Sequence, residues 1–116
     1  MSLGNIGFAA PRIVYAGNVK NNGNATANCT IYYASTAGQP ADESFSVTLA
    51  PGNEAAIPGR EYTPDGASYT ARKNVTRIEV ETNGQTFSLE EPFDGVTSPT
   101  SSWTFNVSDD KITSGW

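Results

Sequence analysis

The chain has 116 residues and a formal net charge of −5, and only 16% of its residues are charged. A chain of this length buries roughly 65% of the surface that it exposes when unfolded, which is enough for one core. We therefore expect residues 1–116 to form a single domain. The seven basic residues are scattered singly, which excludes the clustered positive charge needed to bind nucleic acid or an anionic membrane surface.

Short segments of alternating apolar and polar residues, separated by turn residues, predict β-strands along the whole chain. In chain order these segments are residues 12–16, 26–34, 44–49, 54–57, 68–72, 77–82, 85–90 and 102–107, followed by a last strand or tail at 111–116. Turn signals lie at residues 21–24, 51–52, 58–59 and 64–66, and longer loops at 35–42 and 92–102. Gly17 is predicted to end the first strand. No segment has the apolar spacing of a long helix or the about 20 apolar residues of a membrane span.

The best-defined element is a hairpin over residues 77–90. Asn83-Gly84 can take the positive φ angles of a two-residue type I′ turn. This turn places Thr82 opposite Gln85 and predicts an ion pair between Arg77 and Glu90 at the other end. The same register gives the hairpin one apolar face, formed by Ile78, Val80, Phe87 and Leu89. Turn chemistry and side-chain alternation therefore agree on a single pairing.

Many short strands, each with one apolar face, favour an all-β fold. We predict a single-domain antiparallel β-sandwich, with a small closed β-barrel as the alternative. Two segments, VKNNGNATA at 19–27 and TLAPGN at 48–53, resemble the V-x-N-x-G-N-a-x-a … L-A-P-G pattern of bacterial immunoglobulin-like surface and adhesion domains. The resemblance covers part of the chain only. It implies an immunoglobulin-like sandwich and an extracellular binding role, without naming a ligand.

The composition argues against catalysis. The chain has no histidine, which removes the usual general base near neutral pH and every nucleophile pair that depends on it. The single cysteine, Cys29, cannot form an intrachain disulfide and lies on a predicted inward face, where a thiol acts as a small apolar filler. The carboxylates Glu90, Glu91 and Asp94 lie close together in sequence, but Glu90 is expected to pair with Arg77. We therefore predict that the protein is not an enzyme.

Candidate binding residues fall into two groups. Exposed aromatic rings can stack on sugars or anchor a protein partner, and four such rings lie on outward faces, at strand ends or in loops. They are Tyr32, Tyr62, Tyr69 and Trp116. We predict no cofactor, with calcium as the alternative, because aspartates in turns could converge at one end of a sandwich. These candidate calcium ligands are Asp65, Asp94, Asp109 and Asp110.

Together these features predict a non-catalytic, lectin- or adhesion-like module that recognises a glycan or a protein surface. Its expected location is secreted or at the cell surface, with the cytoplasm left open. One alternative is a self-assembling structural subunit that forms homo-oligomers through strand edges such as 54–57. Another is a proteinaceous enzyme inhibitor that presents the loop at 92–102.

Overall fold

The computed structural model describes residues 13–34, 43–63, 66, 68–93 and 95–115. In this part of the chain every regular element is a β-strand. The strands are β1 (Gly17–Asn21), β2 (Ala27–Tyr33), β3 (Ser44–Leu49), β4 (Glu54–Ile57), β5 (Arg60–Tyr62), β6 (Ala71–Lys73), β7 (Val75–Thr82), β8 (Gln85–Glu90), β9 (Trp103–Val107) and β10 (Ile112–Gly115). None of the described segments is a helix long and apolar enough to cross a membrane.

The strands form two four-stranded sheets and a small ribbon. The front sheet has the order β3-β2-β7-β8, the back sheet has the order β10-β9-β1-β4, and β5 pairs with β6 in the ribbon. Neighbouring strands are antiparallel except for β1 and β9, which run parallel. The prediction of an all-β sandwich is confirmed, and no closed barrel forms among the described strands.

One hydrophobic core fills the space between the two sheets. Its fully buried side chains come from both sheets and from the connections between them. They include Ile31, Tyr33, Ile78 and Val80 of the front sheet, Val19, Ile57, Trp103 and Phe105 of the back sheet, and Val14, Phe93 and Val96 of connecting segments. The inward faces predicted for 26–34 and 102–107 are confirmed.

The hairpin of β7 and β8 has the predicted register. Thr82 lies opposite Gln85 and Arg77 lies opposite Glu90. Asn83 has φ 54° and Gly84 has φ 74°, which are the positive values that a type I′ turn requires. Strand β7 begins at Val75 and pairs with β2 as well as with β8, so it lies inside the front sheet.

The first predicted strand is wrong in its limits. Gly17 begins β1 instead of ending a strand, and Val14 forms only isolated bridges to Val75 and Thr100. The reason is a close backbone approach, since a Cβ at Gly17 would lie 1.9 Å from the backbone oxygen of Trp103. The chain uses glycine here to bring β1 beside β9.

Other departures from prediction are smaller. The strand predicted at 68–72 is observed only at Ala71–Lys73, and the loop predicted at 35–42 lies outside the described residues. The irregular segment 92–102 is held to the core at its start. Phe93 is fully buried and packs edge-to-face on Phe105, with ring centroids 4.9 Å apart, and Val96 is buried beside it.

Candidate functional site

The outer face of the front sheet is an array of polar side chains. Strand register fixes which residues are neighbours, because residues directly opposite one another share a face. The first row across the sheet is Thr48, Asn28, Glu81 and Thr86; the second is Ser46, Thr30, Glu79 and Ser88; the third is Ser44, Tyr32, Arg77 and Glu90. We call these three rows the polar array. Side-chain spacing along and across the strands makes it about 14 Å on each side.

Part of the polar array is ordered by its own hydrogen bonds. The hydroxyl of Thr48 donates to Oδ1 of Asn28 at 2.8 Å, and the hydroxyls of Thr30 and Ser46 are 3.3 Å apart. On the β8 side, Thr86 and Ser88 are exposed and make no side-chain hydrogen bond to another described residue. These two hydroxyls are therefore free to bond to a ligand without breaking an internal contact.

Tyr32 and Arg77 are the two middle residues in the third row of the polar array. The guanidinium of Arg77 lies over the Tyr32 ring, 5.0 Å from its centroid, and forms an ion pair with Glu79. The predicted Arg77–Glu90 pair is wrong. Arg77 instead uses Glu79, its neighbour two residues along the same face of β7, together with a ring on the adjacent strand β2. Glu90, on the edge strand, stays exposed.

The other described aromatic candidates, Tyr62 and Tyr69, are not in the polar array. Tyr62 lies at the end of β5 opposite Ala71 and is partly buried. Tyr69, which precedes β6, is 63% exposed and is the one large hydrophobic side chain that is exposed in the described part of the chain. Trp116 lies outside the described residues. Of the described tyrosine candidates, Tyr32 therefore lies on the front sheet, whereas Tyr62 and Tyr69 lie in or next to the ribbon.

The aspartates predicted as calcium ligands are placed as follows. Both carboxylate oxygens of Asp109 accept hydrogen bonds from Asn24, one from its backbone N–H at 2.8 Å and one from Nδ2 at 3.1 Å. Asp110 accepts a hydrogen bond from the hydroxyl of Ser108. Asp65 and Asp94 lie outside the described residues. The described residues contain no group of three acidic, cysteine or histidine side chains that could hold a metal ion, and calcium binding stays a prediction.

A charged cluster at the base of the ribbon was not predicted. Glu43 forms an ion pair with Arg60, with 2.8 Å between Oε2 and Nε, and accepts a hydrogen bond from Nζ of Lys73 at 3.1 Å. Lys73 is buried, with 5% of its side chain exposed, and Arg60 and Lys73 lie directly opposite each other in the ribbon. One carboxylate therefore bridges two like charges and offsets part of their mutual repulsion. No local sequence pattern predicts this contact, because it depends on the pairing of β5 with β6.

The same cluster contains the buried Tyr33. The guanidinium of Arg60 lies over its ring, 5.7 Å from the centroid, and the Tyr33 hydroxyl donates to the backbone oxygen of Pro58. Burial raises the pKa of Tyr33, and the nearby Arg60 partly opposes that rise. A second stack fixes the other strand of the ribbon, since Arg72 lies 4.1 Å over the ring of Tyr15 and donates to the Ser101 hydroxyl. The ribbon is thereby attached to the body of the domain.

The thiol of Cys29 is buried in β2, and this burial raises its pKa to about 11. It therefore stays protonated at neutral pH and packs as a small apolar group. The described residues enclose no pocket.

No protein-family model, curated protein or solved structure matches this chain. The resemblance of 19–27 and 48–53 to bacterial immunoglobulin-like domains therefore stays a prediction. The polar array is the candidate site on its geometry alone, because it combines free hydroxyls, an amide and an arginine-stacked tyrosine on one face.

Proposed function

We propose that the protein is a non-catalytic module that binds a glycan on the polar array. The observation that carries this proposal is the set of hydroxyl and amide side chains aligned in rows beside the Tyr32–Arg77 stack. Sugars present hydroxyl groups that both donate and accept hydrogen bonds, and they present C–H faces that pack on aromatic rings. Both kinds of group lie on this face.

The sheet supports recognition because its backbone positions these side chains before a ligand arrives. The polar array lies on four hydrogen-bonded strands above a buried core. Binding then costs little conformational entropy beyond the ordering of the side chains in contact. An open face also suits a chain-like ligand that extends past the protein on both sides.

A protein surface is the weaker candidate partner. The cores of protein interfaces are rich in aromatic and apolar side chains, whereas Tyr69 is the one exposed large hydrophobic residue in the described part of the chain. The inhibitor alternative depends on the segment at 92–102, where Phe93 and Val96 are buried in the core and unavailable to an enzyme cleft. A secreted or cell-surface location is part of the proposal, since glycans are most abundant there.

A glycan array followed by affinity measurements on matched variants tests this function. Thr86→Val removes a hydroxyl from the polar array without removing an internal hydrogen bond, and Thr113→Val removes an exposed hydroxyl from β10 of the back sheet. A lost hydrogen bond costs about 0.5–1.5 kcal/mol, so we expect Thr86→Val to weaken binding by roughly two- to tenfold. Thr113→Val should bind like the wild type.

Two results would count against the proposal. One is an array on which no glycan is retained above background. The other is a bound glycan whose affinity is the same for Thr86→Val, Thr113→Val and the wild type. A protein captured from native extract, with capture insensitive to changes in the polar array, would support the protein-surface alternative instead.

A further inference from the structure

Strand β3 forms an edge of the front sheet with no charge along its length. Its sequence, SFSVTL, contains no charged residue and no proline, and β2 is its one neighbour among the described strands. The other edges differ: β4 begins with Glu54, β8 ends with Glu90, and β10 has only four residues. Natural proteins protect edges with charge, proline, bulges or short length. β3 has none of these devices.

The backbone groups that face outward from β3 can be identified. The N–H of Tyr33 donates to the carbonyl of Glu43 at 2.9 Å, so these two opposite residues form a hydrogen-bonded pair. Hydrogen-bonded pairs alternate along an antiparallel ladder. Phe45, Val47 and Leu49 therefore bond to β2, while the N–H and C=O groups of Ser44, Ser46 and Thr48 point away from it.

We propose that β3 pairs antiparallel with β3 of a second copy of this chain, with Ser46 opposite Ser46 on the two-fold axis. In this register Ser44 lies opposite Thr48 of the second copy, so every outward N–H of these residues meets an outward C=O. Phe45 lies opposite Val47 of the second copy. Both side chains are only half-buried within one copy, so the pairing covers their remaining apolar surface. No like charges meet.

The proposed contact is self-complementary and closes as a dimer, because each copy uses its single β3 edge. It joins two front sheets into one continuous sheet and places the two polar arrays side by side on one face. The dimer does not depend on the proposed function. If both hold, a glycan chain can engage two sites at once, which raises its apparent affinity.

Sedimentation analysis from low micromolar to millimolar concentration tests the pairing. We expect the mass to rise from the monomer value of 12.3 kDa to twice that value. Ser46→Pro removes an outward N–H without breaking the β2–β3 ladder, and we expect it to remain a monomer. Ser46→Thr keeps the N–H and should dimerise. Ser88→Pro, the same change on the β8 edge, should also dimerise.

Hydrogen exchange locates the contact. In the dimer the amides of Ser44, Ser46 and Thr48 should become protected, while those of Glu54–Ile57 should not change. If Ser46→Pro fails to fold, as judged by circular dichroism, Ser46→Lys replaces it, because it sets two ammonium groups opposite each other at the axis. The proposal is overturned if the wild type stays at the monomer mass, if the folded Ser46 variant dimerises as the wild type does, or if protection appears on another edge.

Discussion

Replacing Asn21 with aspartate should strongly destabilise the fold, although the two side chains have the same shape. Asn21 is 1% exposed, and its Nδ2 donates to the carbonyls of Ala25 at 2.8 Å and Leu49 at 2.9 Å. Its Oδ1 accepts from the N–H of Gly23 at 2.9 Å. This one side chain therefore ties the connection after β1 to the end of β3.

The size of this destabilisation follows from the polar atom that Asn21→Asp leaves unpaired. Asn21→Asp keeps the acceptor but replaces both donors by an oxygen that faces two carbonyl oxygens. A buried polar group without a partner costs about 1–3 kcal/mol, and more when it is charged, so the buried carboxylate oxygen that has lost both partners costs about 3 kcal/mol. This is a large share of the about 5–15 kcal/mol that stabilises a typical domain. For a domain of this size it lowers the melting temperature by roughly 10–15 °C.

Urea unfolding followed by circular dichroism measures the effect. The matched control is Asn22→Asp, which makes the same change of charge at the next residue. Asn22 is exposed, and its Nδ2 bonds to Oδ1 of Asn106 at the surface, so the control should lose less than about 0.5 kcal/mol. Equal unfolding midpoints for the two variants would refute the role assigned to Asn21.

Three further predictions concern the core and the ribbon. Gly17→Ala should lower the free energy of unfolding, measured by thermal melts, by about 2–3 kcal/mol. The new Cβ would meet the Trp103 backbone and must separate β1 from β9. Glu43→Gln should lower the free energy of unfolding by about 2 kcal/mol, because it leaves the buried Lys73 without its counterion. The loss is smaller than for a fully buried pair because the side chain of Glu43 is 36% exposed. Burial of the Cys29 thiol stabilises the fold below pH 9.0, and this contribution is lost as pH rises to about 11. Cys29→Ala should therefore show a shallower loss of stability over that range.

The Gly17 and Glu43 predictions each have a matched control variant. Gly59→Ala should melt like the wild type, because the nearest atom to a new Cβ there is 4.0 Å away. Glu90→Gln should do the same, as Glu90 has no ion pair with another described residue. If Gly17→Ala or Glu43→Gln matched its control, the contact assigned to it would not hold. A Cys29 thiol that reacts with a thiol reagent equally fast in native and unfolded protein would contradict its burial.

The sequence predicted structure well where partners in the fold are also close in the chain. Asn83-Gly84 and the alternation on both sides of it are sufficient to set the β7–β8 register, because a two-residue turn allows few pairings. Gly17 shows the opposite case. Its missing side chain matters because of Trp103, which is distant in sequence, so local rules misread it as the end of a strand.

In the candidate site too, features that depend on neighbouring residues could be predicted and features that depend on distant residues could not. Alternation placed Tyr32 on an outward face, and the structure keeps it there. Its neighbour Arg77 was assigned to Glu90 because the hairpin was the one visible pairing, whereas the pairing of β2 with β7 brings Arg77 to the Tyr32 ring. The rows of the polar array depend on strand order across the sheet, and strand order is a property of the whole fold. Glu43 could not be linked to Lys73 for the same reason.

An NMR titration with the glycan that binds best on the array tests the central claim most directly. If the polar array is the binding site, amide shifts should concentrate on the outward residues of the front sheet, with Thr30, Ser46 and Thr86 among the most affected. The outward residues Thr104 and Thr113 of the back sheet should not move. Shifts confined to the ribbon, to the back sheet or to no residue at all would contradict the claim.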